Sequence, residues 1–329
     1  MIQPNSFAGN SPAPQDFDLQ AFAKPVPRID AQNLTQQQFR QQHLALGRPV
    51  VVTGLLDGLN WNLDFLLKNL GNLTFPVRHY GRDRYQRDKR TWETIGSGVP
   101  THSINFARYV RMLRSGEAQE KDAYLGRCSL KGTLLEDAPQ IRQAEARLGL
   151  RLPVTAINLW VGPGGHTSAL HYDPMDGTLM QIQGDKQVIL FPPSQLYNLY
   201  PFSLVNYLRY GMKRRALYSQ VYPDRPDFEA FPRYREALNH CQMTVVKAGE
   251  TLFIPAGWWH EVSSLGIDAV CSINRFWNVL PLSRALTNWS KWRAHLGFVL
   301  AMPHLLGSLA GAIASADREQ AFRKIMQRL

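Results

Sequence analysis

Cysteine is scarce: the 329-residue chain carries three, Cys128, Cys241 and Cys271, at irregular and distant spacings. They form neither an even-numbered disulfide framework nor a CxxC zinc knuckle, so a reducing, cytoplasmic setting is expected. Carboxylates are in short supply too. The 26 Asp and Glu face 37 Lys and Arg, a net charge of +11, which keeps open an anionic partner: nucleic acid, a membrane surface or an acidic peptide. No basic start followed by an apolar run opens the chain, so no secretory leader is expected, and 1–18 reads as a flexible tail. No internal repeat is visible. With 44% hydrophobic and 19% charged residues, the remainder excludes an intrinsically disordered chain.

One long stretch lacks charge altogether. Leu296 to Ala316 holds no Asp, Glu, Lys or Arg, which is long enough to span a bilayer. It also contains Pro303, His304, three glycines and two serines, so its hydrophobicity is weak. A helix packing against the domain or a second copy is expected there, and a membrane span is not.

Two textures divide the rest. Up to about residue 122 helical and extended signals mix. Asn33-Leu34-Thr35 opens a helix over 36–46, Pro49 to Gly54 is a β-branched strand, Leu63 to Leu70 and Phe106 to Arg114 are helical, and 75–78 is extended. Ala123 to Leu125 is a strand, and helical signals return over 138–148. From Pro153 short apolar segments alternate with Gly/Pro turns: 156–161, 169–172, 179–182, 187–191, 243–246, 251–254 and 269–276. That spacing predicts a mainly β fold with flanking helices, its core a sandwich or barrel. A basic, tyrosine-bearing insert at 204–219 interrupts it, and from Leu282 the pattern is helical.

The sharpest feature is His171-Tyr172-Asp173. Side chains alternate faces along a strand, so His171 and Asp173 project together while Tyr172 points away. An imidazole beside a carboxylate is two-thirds of the facial triad that holds Fe(II) and leaves other positions open. HxD alone is common by chance and needs a second histidine. His260 offers one, at the end of Gly249-Glu250-Thr251-Leu252-Phe253-Ile254-Pro255-Ala256-Gly257-Trp258-Trp259-His260.

These motifs resemble the JmjC/cupin-type Fe(II)- and 2-oxoglutarate-dependent oxygenases, nearest to the asparaginyl and wybutosine tRNA hydroxylases of that family. The likeness runs from Pro27 to Leu280. It is strongest in His171-Tyr172-Asp173, in Gln181 to Pro193, in the G-x5-P-x-G-x2-H spacing that ends at His260, and in Ser272 to Trp277. It implies a double-stranded β-helix (jelly roll) over 123–280, preceded by an α/β segment (19–122) and followed by a helical region (281–329) that serves dimerisation. His171, Asp173 and His260 match the metal ligands. Lys186 matches the lysine that pairs with the far carboxylate of 2-oxoglutarate, and Ser168, Tyr124 and Asn274 match further co-substrate contacts. The reaction implied is hydroxylation of a substrate C–H bond, coupled to decarboxylation of 2-oxoglutarate to succinate and CO2. Gly177 departs from the pattern, standing where the asparaginyl hydroxylases have an asparagine.

Lys186 has a case of its own, since an ammonium facing a barrel interior needs an anionic partner. Other residues read as structural. His166, on opposite strand parity from His171 and beside a glycine-rich loop, is expected at the entrance and not on the metal. His240-Cys241 lacks a second pair and reads as loop, and Trp258 and Trp259 read as core and rim. Two clusters, Arg78 to Arg90 and Arg209 to Arg215, interleave arginine with tyrosine as nucleic-acid surfaces do. The expected substrate is a protein or peptide side chain, with tRNA, a small molecule or a non-catalytic binding role as alternatives.

Overall fold

The computed structural model describes residues 17–315 except 97, together with 317, 318 and 322. The expected tail therefore falls outside the described residues apart from Phe17 and Asp18, and Asp18 caps the turn at Leu19–Ala21.

Fourteen strands are described. The first six are β1 (Lys24–Pro25), β2 (Arg28–Asp30), β3 (Val50–Thr53), β4 (Thr74–His79), β5 (Thr101–Asn105) and β6 (Ala123–Ser129). Then come β7 (Asn158–Gly162), β8 (Thr167–Tyr172), β9 (Asp176–Gln183) and β10 (Lys186–Phe191). The last are β11 (Gln242–Val246), β12 (Thr251–Ile254), β13 (Trp259–Ser264) and β14 (Val270–Trp277). They make two sheets, in the orders β1-β11-β10-β13-β8 and β2-β3-β12-β9-β14-β7-β6-β4-β5. Within them, β8-β13-β10-β11 and β7-β14-β9-β12 are antiparallel four-strand halves that face each other as a jelly roll. The fold class read from the sequence is the one observed.

The strands from Pro153 onward coincide with the expected segments, with one omission. Trp259–Ser264 is a full strand between β8 and β10, so His260 sits on a ladder and not beyond one. Its Trp259-His260-Glu261 start, with two polar residues among buried ones, hides the apolar alternation that marks strands. The N-terminal segment adds strands to the barrel's own sheet. β3, three consecutive valines with no exposed surface, pairs with β12, and β2 runs parallel beside it. β4 and β5 extend the same sheet through β6. The helix expected over 36–46 is a single α turn, Gln36–Phe39, running into a π turn at Arg40–Leu44, where the Ala45 N–H donates to the Arg40 carbonyl.

Six helices matter here: α1 (Leu63–Leu70), α2 (Phe106–Arg114), α3 (Pro139–Arg147), α4 (Val205–Tyr210), α5 (Leu282–Thr287) and α6 (Trp289–Ala314). The first three close the largest core, where Leu66, Leu70, Phe106 and Tyr109 pack on β6, β7 and β14. A second core lies under the other sheet around Tyr172, Phe191, Tyr234 and Trp259. Buried Arg293 of α6 donates to the carbonyls of Phe202 (2.6 Å) and Ala216, fastening the basic insert to the body. α6 also packs on the domain through Leu300 and Ala301, which cluster with Tyr207 of α4, while much of its remaining surface is exposed. It is long and apolar enough to cross a membrane by length and composition. All three cysteines are buried and free.

Candidate metal and co-substrate centre

The jelly roll brings His171 of β8 directly opposite His260 of β13, as cross-strand neighbours. Their rings lie 4.3 Å apart between centroids. Asp173 follows the end of β8, and its Oδ2 is 3.5 Å from His260 Nε2. One donor atom from each of the three residues falls within 4.8 Å of the others, the spacing of a single ion's ligands.

The G-x5-P-x-G turn helps to place that carboxylate. The Gly257 N–H donates to the Asp173 carbonyl at 2.8 Å, and the Ala256 N–H donates to buried Asp176 at 2.8 Å. Asp176 is also held by Arg284 of α5, so the turn, the ligand strand and the C-terminal helices form one unit. Tyr172 points the other way, as strand alternation requires, and packs edge-on against Trp259.

Both imidazoles are oriented from behind. His171 Nδ1 lies 2.8 Å from the Ala169 carbonyl, and His260 Nδ1 lies 3.0 Å from the Trp258 carbonyl. A carbonyl only accepts, so each Nδ1 carries the proton and each Nε2 keeps its lone pair for a metal. Burial, with the neighbouring His260 adding to it, pushes the His171 pKa down to about 4, so this ring is neutral at ordinary pH. Two imidazoles and a carboxylate are a borderline-to-hard donor set that fits Fe(II).

Deeper in the same cavity Lys186, the first residue of β10, is buried. Its Nζ donates to Ser272 Oγ at 2.6 Å and to Tyr124 Oη at 3.4 Å. Among the described residues no carboxylate lies within ion-pairing distance of it. Burial drives its pKa down to about 8. A buried ammonium with two hydroxyls and no anion is a receptor for one, and a carboxylate fits.

His171, Asp173, His260, Lys186, Ser168, Tyr124 and Asn274 all line one cavity of about 360 Å³, large enough for a small co-substrate and one substrate group. Asn274 Oδ1 accepts from Trp160 Nε1 at 2.9 Å, which fixes the amide. Gly162 of β7 is required beside Tyr124, since a Cβ there would lie 2.1 Å from the Tyr124 ring. Ser272 is the residue that sequence reasoning passed over. It lies two residues before Asn274 on β14, and the same face-sharing that was used for His171 and Asp173 marks it.

Other expectations are corrected. His166 does not line the entrance: it is 3% exposed, its Nδ1 is 2.7 Å from Asp122, and its ring stacks on Tyr124 at 3.7 Å. The sequence shows no partner for it because Asp122 comes from the turn before β6. Trp258 and Trp259 are both buried in the cores and away from the cavity.

The cavity lining is electrically lopsided. Arg78, Arg84, Arg127, Lys186 and Arg215 face a single carboxylate, Asp173. Burial lowers the Arg215 pKa, and the guanidinium groups of Arg127 and Arg78 lower it further.

Comparison with known proteins gives a family match along most of the chain: a cupin-like domain profile covers residues 36–282. Lysine-specific demethylase 8 of Xenopus tropicalis is 26% identical over 266 residues, 77% of this chain and 53% of the relative. tRNA wybutosine-synthesizing protein 5 of Gallus gallus is 26% identical over 275 residues, 78% of each. HSPB1-associated protein 1 of Mus musculus is 34% identical over 108 residues, 32% of this chain and 21% of the relative. The chain thus spans about half the length of the demethylase 8 relatives it matches.

Proposed function

The chain belongs to the cupin-like domain family, and from that premise we propose that it is an Fe(II)- and 2-oxoglutarate-dependent oxygenase that hydroxylates a substrate C–H bond. The observation that carries this reading is the convergence of His171, Asp173 and His260 beside a buried, carboxylate-free Lys186 in one cavity. Bound there, iron and 2-oxoglutarate would supply, with O2 as the oxidant, hydroxylation of the substrate with release of succinate and CO2.

The chain's own residues bind, orient and exclude water. His171 and His260 present Nε2 from rings fixed by backbone carbonyls, and Asp173 supplies the anionic ligand. Lys186, with Ser272 and Tyr124, holds the far carboxylate of 2-oxoglutarate. Ser168 and Asn274 flank it on the cavity wall. Aromatic walls from Tyr124, Trp160 and Tyr218 keep the interior low in water, which strengthens every charged contact inside.

A protein or peptide side chain remains one substrate class, favoured by the demethylase names, and a nucleic acid is the other, favoured by the wybutosine protein's name. Charge around the cavity favours the second. The buried free thiols accord with a reducing, cytoplasmic location.

Anaerobic calorimetry with Fe(II), followed by 2-oxoglutarate, tests the reading. One iron per chain is expected, with co-substrate binding that depends on iron and succinate release on admitting O2. Undiminished succinate release by Asp173→Ala sinks the assignment.

Self-association is part of the same proposal. Trp289, Trp292, Leu296, Val299, Leu306 and Ile313 are exposed on α6, stepping by three and four residues or by whole heptads. That step matches a helix-pairing seam, which a second copy of α6 would cover. Sedimentation should show a dimer that Leu296→Glu dissociates; a strictly monomeric profile of the unaltered chain rejects it.

A further inference from the structure

The two basic clusters that stand far apart in the sequence meet at the mouth of the cavity. The Ile95 N–H donates to the Lys213 carbonyl at 2.7 Å, and the Arg215 N–H donates to the Ile95 carbonyl at 3.2 Å. Arg214 Nη2 donates to the Arg90 carbonyl at 2.6 Å. Gly96 makes this approach possible. Its φ is +83°, and a Cβ there would sit 2.5 Å from the Tyr218 ring. Tyr218 in turn stacks on His171 at 4.9 Å, so the insert that carries the second cluster ends against the metal site.

Cations outnumber acids on this rim. The segments 78–90 and 209–215 hold ten cations, of which Lys89 is buried and bonded to the Val221 carbonyl, and two carboxylates, Asp83 and Asp88, with Asp88 engaged by Arg90. Glu93 follows the first cluster, and Asp224, Asp227 and Glu261 act on its Lys89 and Arg90. Arg82, Arg87, Arg209 and Lys213 are exposed, while Arg84 and Arg215 turn inward to the cavity. Eight of the ten cations are arginine, whose planar fork matches phosphate oxygens in pairs. Several lie over aromatic rings. Arg84 lies 4.1 Å over Trp92, and Arg214 lies 5.2 Å over Tyr210. A charged rim that interleaves guanidinium groups with aromatic faces and funnels into a pocket is the layout of a single-strand nucleic-acid channel.

We infer that this rim docks the phosphate backbone of a single-stranded nucleic acid, so that one unpaired nucleotide enters the cavity as the hydroxylation substrate. A duplex does not fit the inference, because a base must leave its stack to reach a site enclosed in a barrel. The proposal rests on reading the cavity as an oxygenase site. Phosphates would meet the exposed cations of the rim and leave buried Lys186 for the co-substrate.

The test measures binding of the full-length chain, without iron, to a labelled single-stranded RNA of about ten nucleotides, a length within the usual footprint of such channels. A fluorescent oligoglutamate of the same charge is the second probe. RNA is expected to bind more tightly than oligoglutamate, with affinity falling steeply between about 50 and 200 mM salt. The double variant Arg87→Glu, Lys213→Glu should weaken RNA binding at least tenfold with an unchanged thermal midpoint. The milder pair Arg87→Gln, Lys213→Gln should lower the salt slope by about 1.4, or 0.7 for each phosphate no longer neutralised. Three results overturn the inference: no RNA binding at low salt, oligoglutamate bound as tightly as RNA, or RNA binding indifferent to both pairs. Succinate release from 2-oxoglutarate is followed separately. Its failure counts against the oxygenase reading, whereas loss of RNA binding with succinate release intact counts against the docking surface alone.

Discussion

The inner end of the cavity and its mouth are built by opposite means. At the inner end His171, His260, Lys186, Ser272 and Asn274 stand on ladder strands, each fixed by register and by face. A single residue of slip would turn them all outward, so the sheet itself guarantees the geometry. At the mouth the side chains come from short 3₁₀ turns at Arg82–Gln86 and Lys89–Thr91 and from an insert tied down by isolated bridges. Rigid strands hold what must be placed to a fraction of an ångström, and loops hold what selects a partner.

The largest effect expected is at the innermost point. Asp173→Ala should weaken iron binding by more than the roughly hundredfold that losing a group hydrogen-bonded to a ligand costs. Its thermal midpoint should hold, because Asp173 is not a core residue. Calorimetry with Fe(II) measures the first and a melting curve the second. Iron affinity unchanged by this substitution would remove the distinction drawn between inner end and mouth.

Next comes Lys186. Replacing it with methionine keeps the volume and removes a buried charge that lacks a carboxylate. The expected loss of 2-oxoglutarate affinity is about ten- to a hundredfold, the value of a charge-assisted hydrogen bond. The fold should gain stability from the same change, since an isolated buried ammonium opposes folding. A purely structural lysine would give a lower melting point with co-substrate binding intact. The pH dependence has a definite sign. Below about pH 7 the ammonium is already charged and 2-oxoglutarate affinity is level. As pH rises through about 8 the free protein loses that proton, so affinity falls and binding takes up a proton, which calorimetry in two buffers detects.

Much of the inner end was legible because strands declare themselves by alternation. The helices at 63–70 and 106–114 match the expected spans, and His171-Tyr172-Asp173 has the predicted parity. The fold and the strand texture follow from such local patterns, whereas Ser168, Tyr124 and Asn274 are implied only by the family resemblance. What escaped was what depends on pairing across distance. Ser272 becomes a lysine partner only once β14 is laid opposite β10, and His166 finds Asp122 only through a turn 44 residues earlier. The meeting of the two basic clusters is of the same kind, since no pattern within 78–90 announces Arg214.

The smallest effect separates the two regions most finely. Gly177 lines the cavity at the start of β9, and a Cβ there would meet its nearest neighbour, the Phe276 ring, at 3.5 Å, an ordinary van der Waals distance. Its backbone needs no glycine. Gly177→Ala should therefore leave stability within about 0.5 kcal/mol and iron binding unchanged. Gly177→Asn should do the same for the fold while placing an amide in the space between co-substrate and mouth, so that the KM for 2-oxoglutarate moves and RNA affinity does not. If RNA affinity shifts instead, the rim reaches further inward than Arg84 and Arg215, and the boundary between the strand-built and loop-built halves must be redrawn at β9.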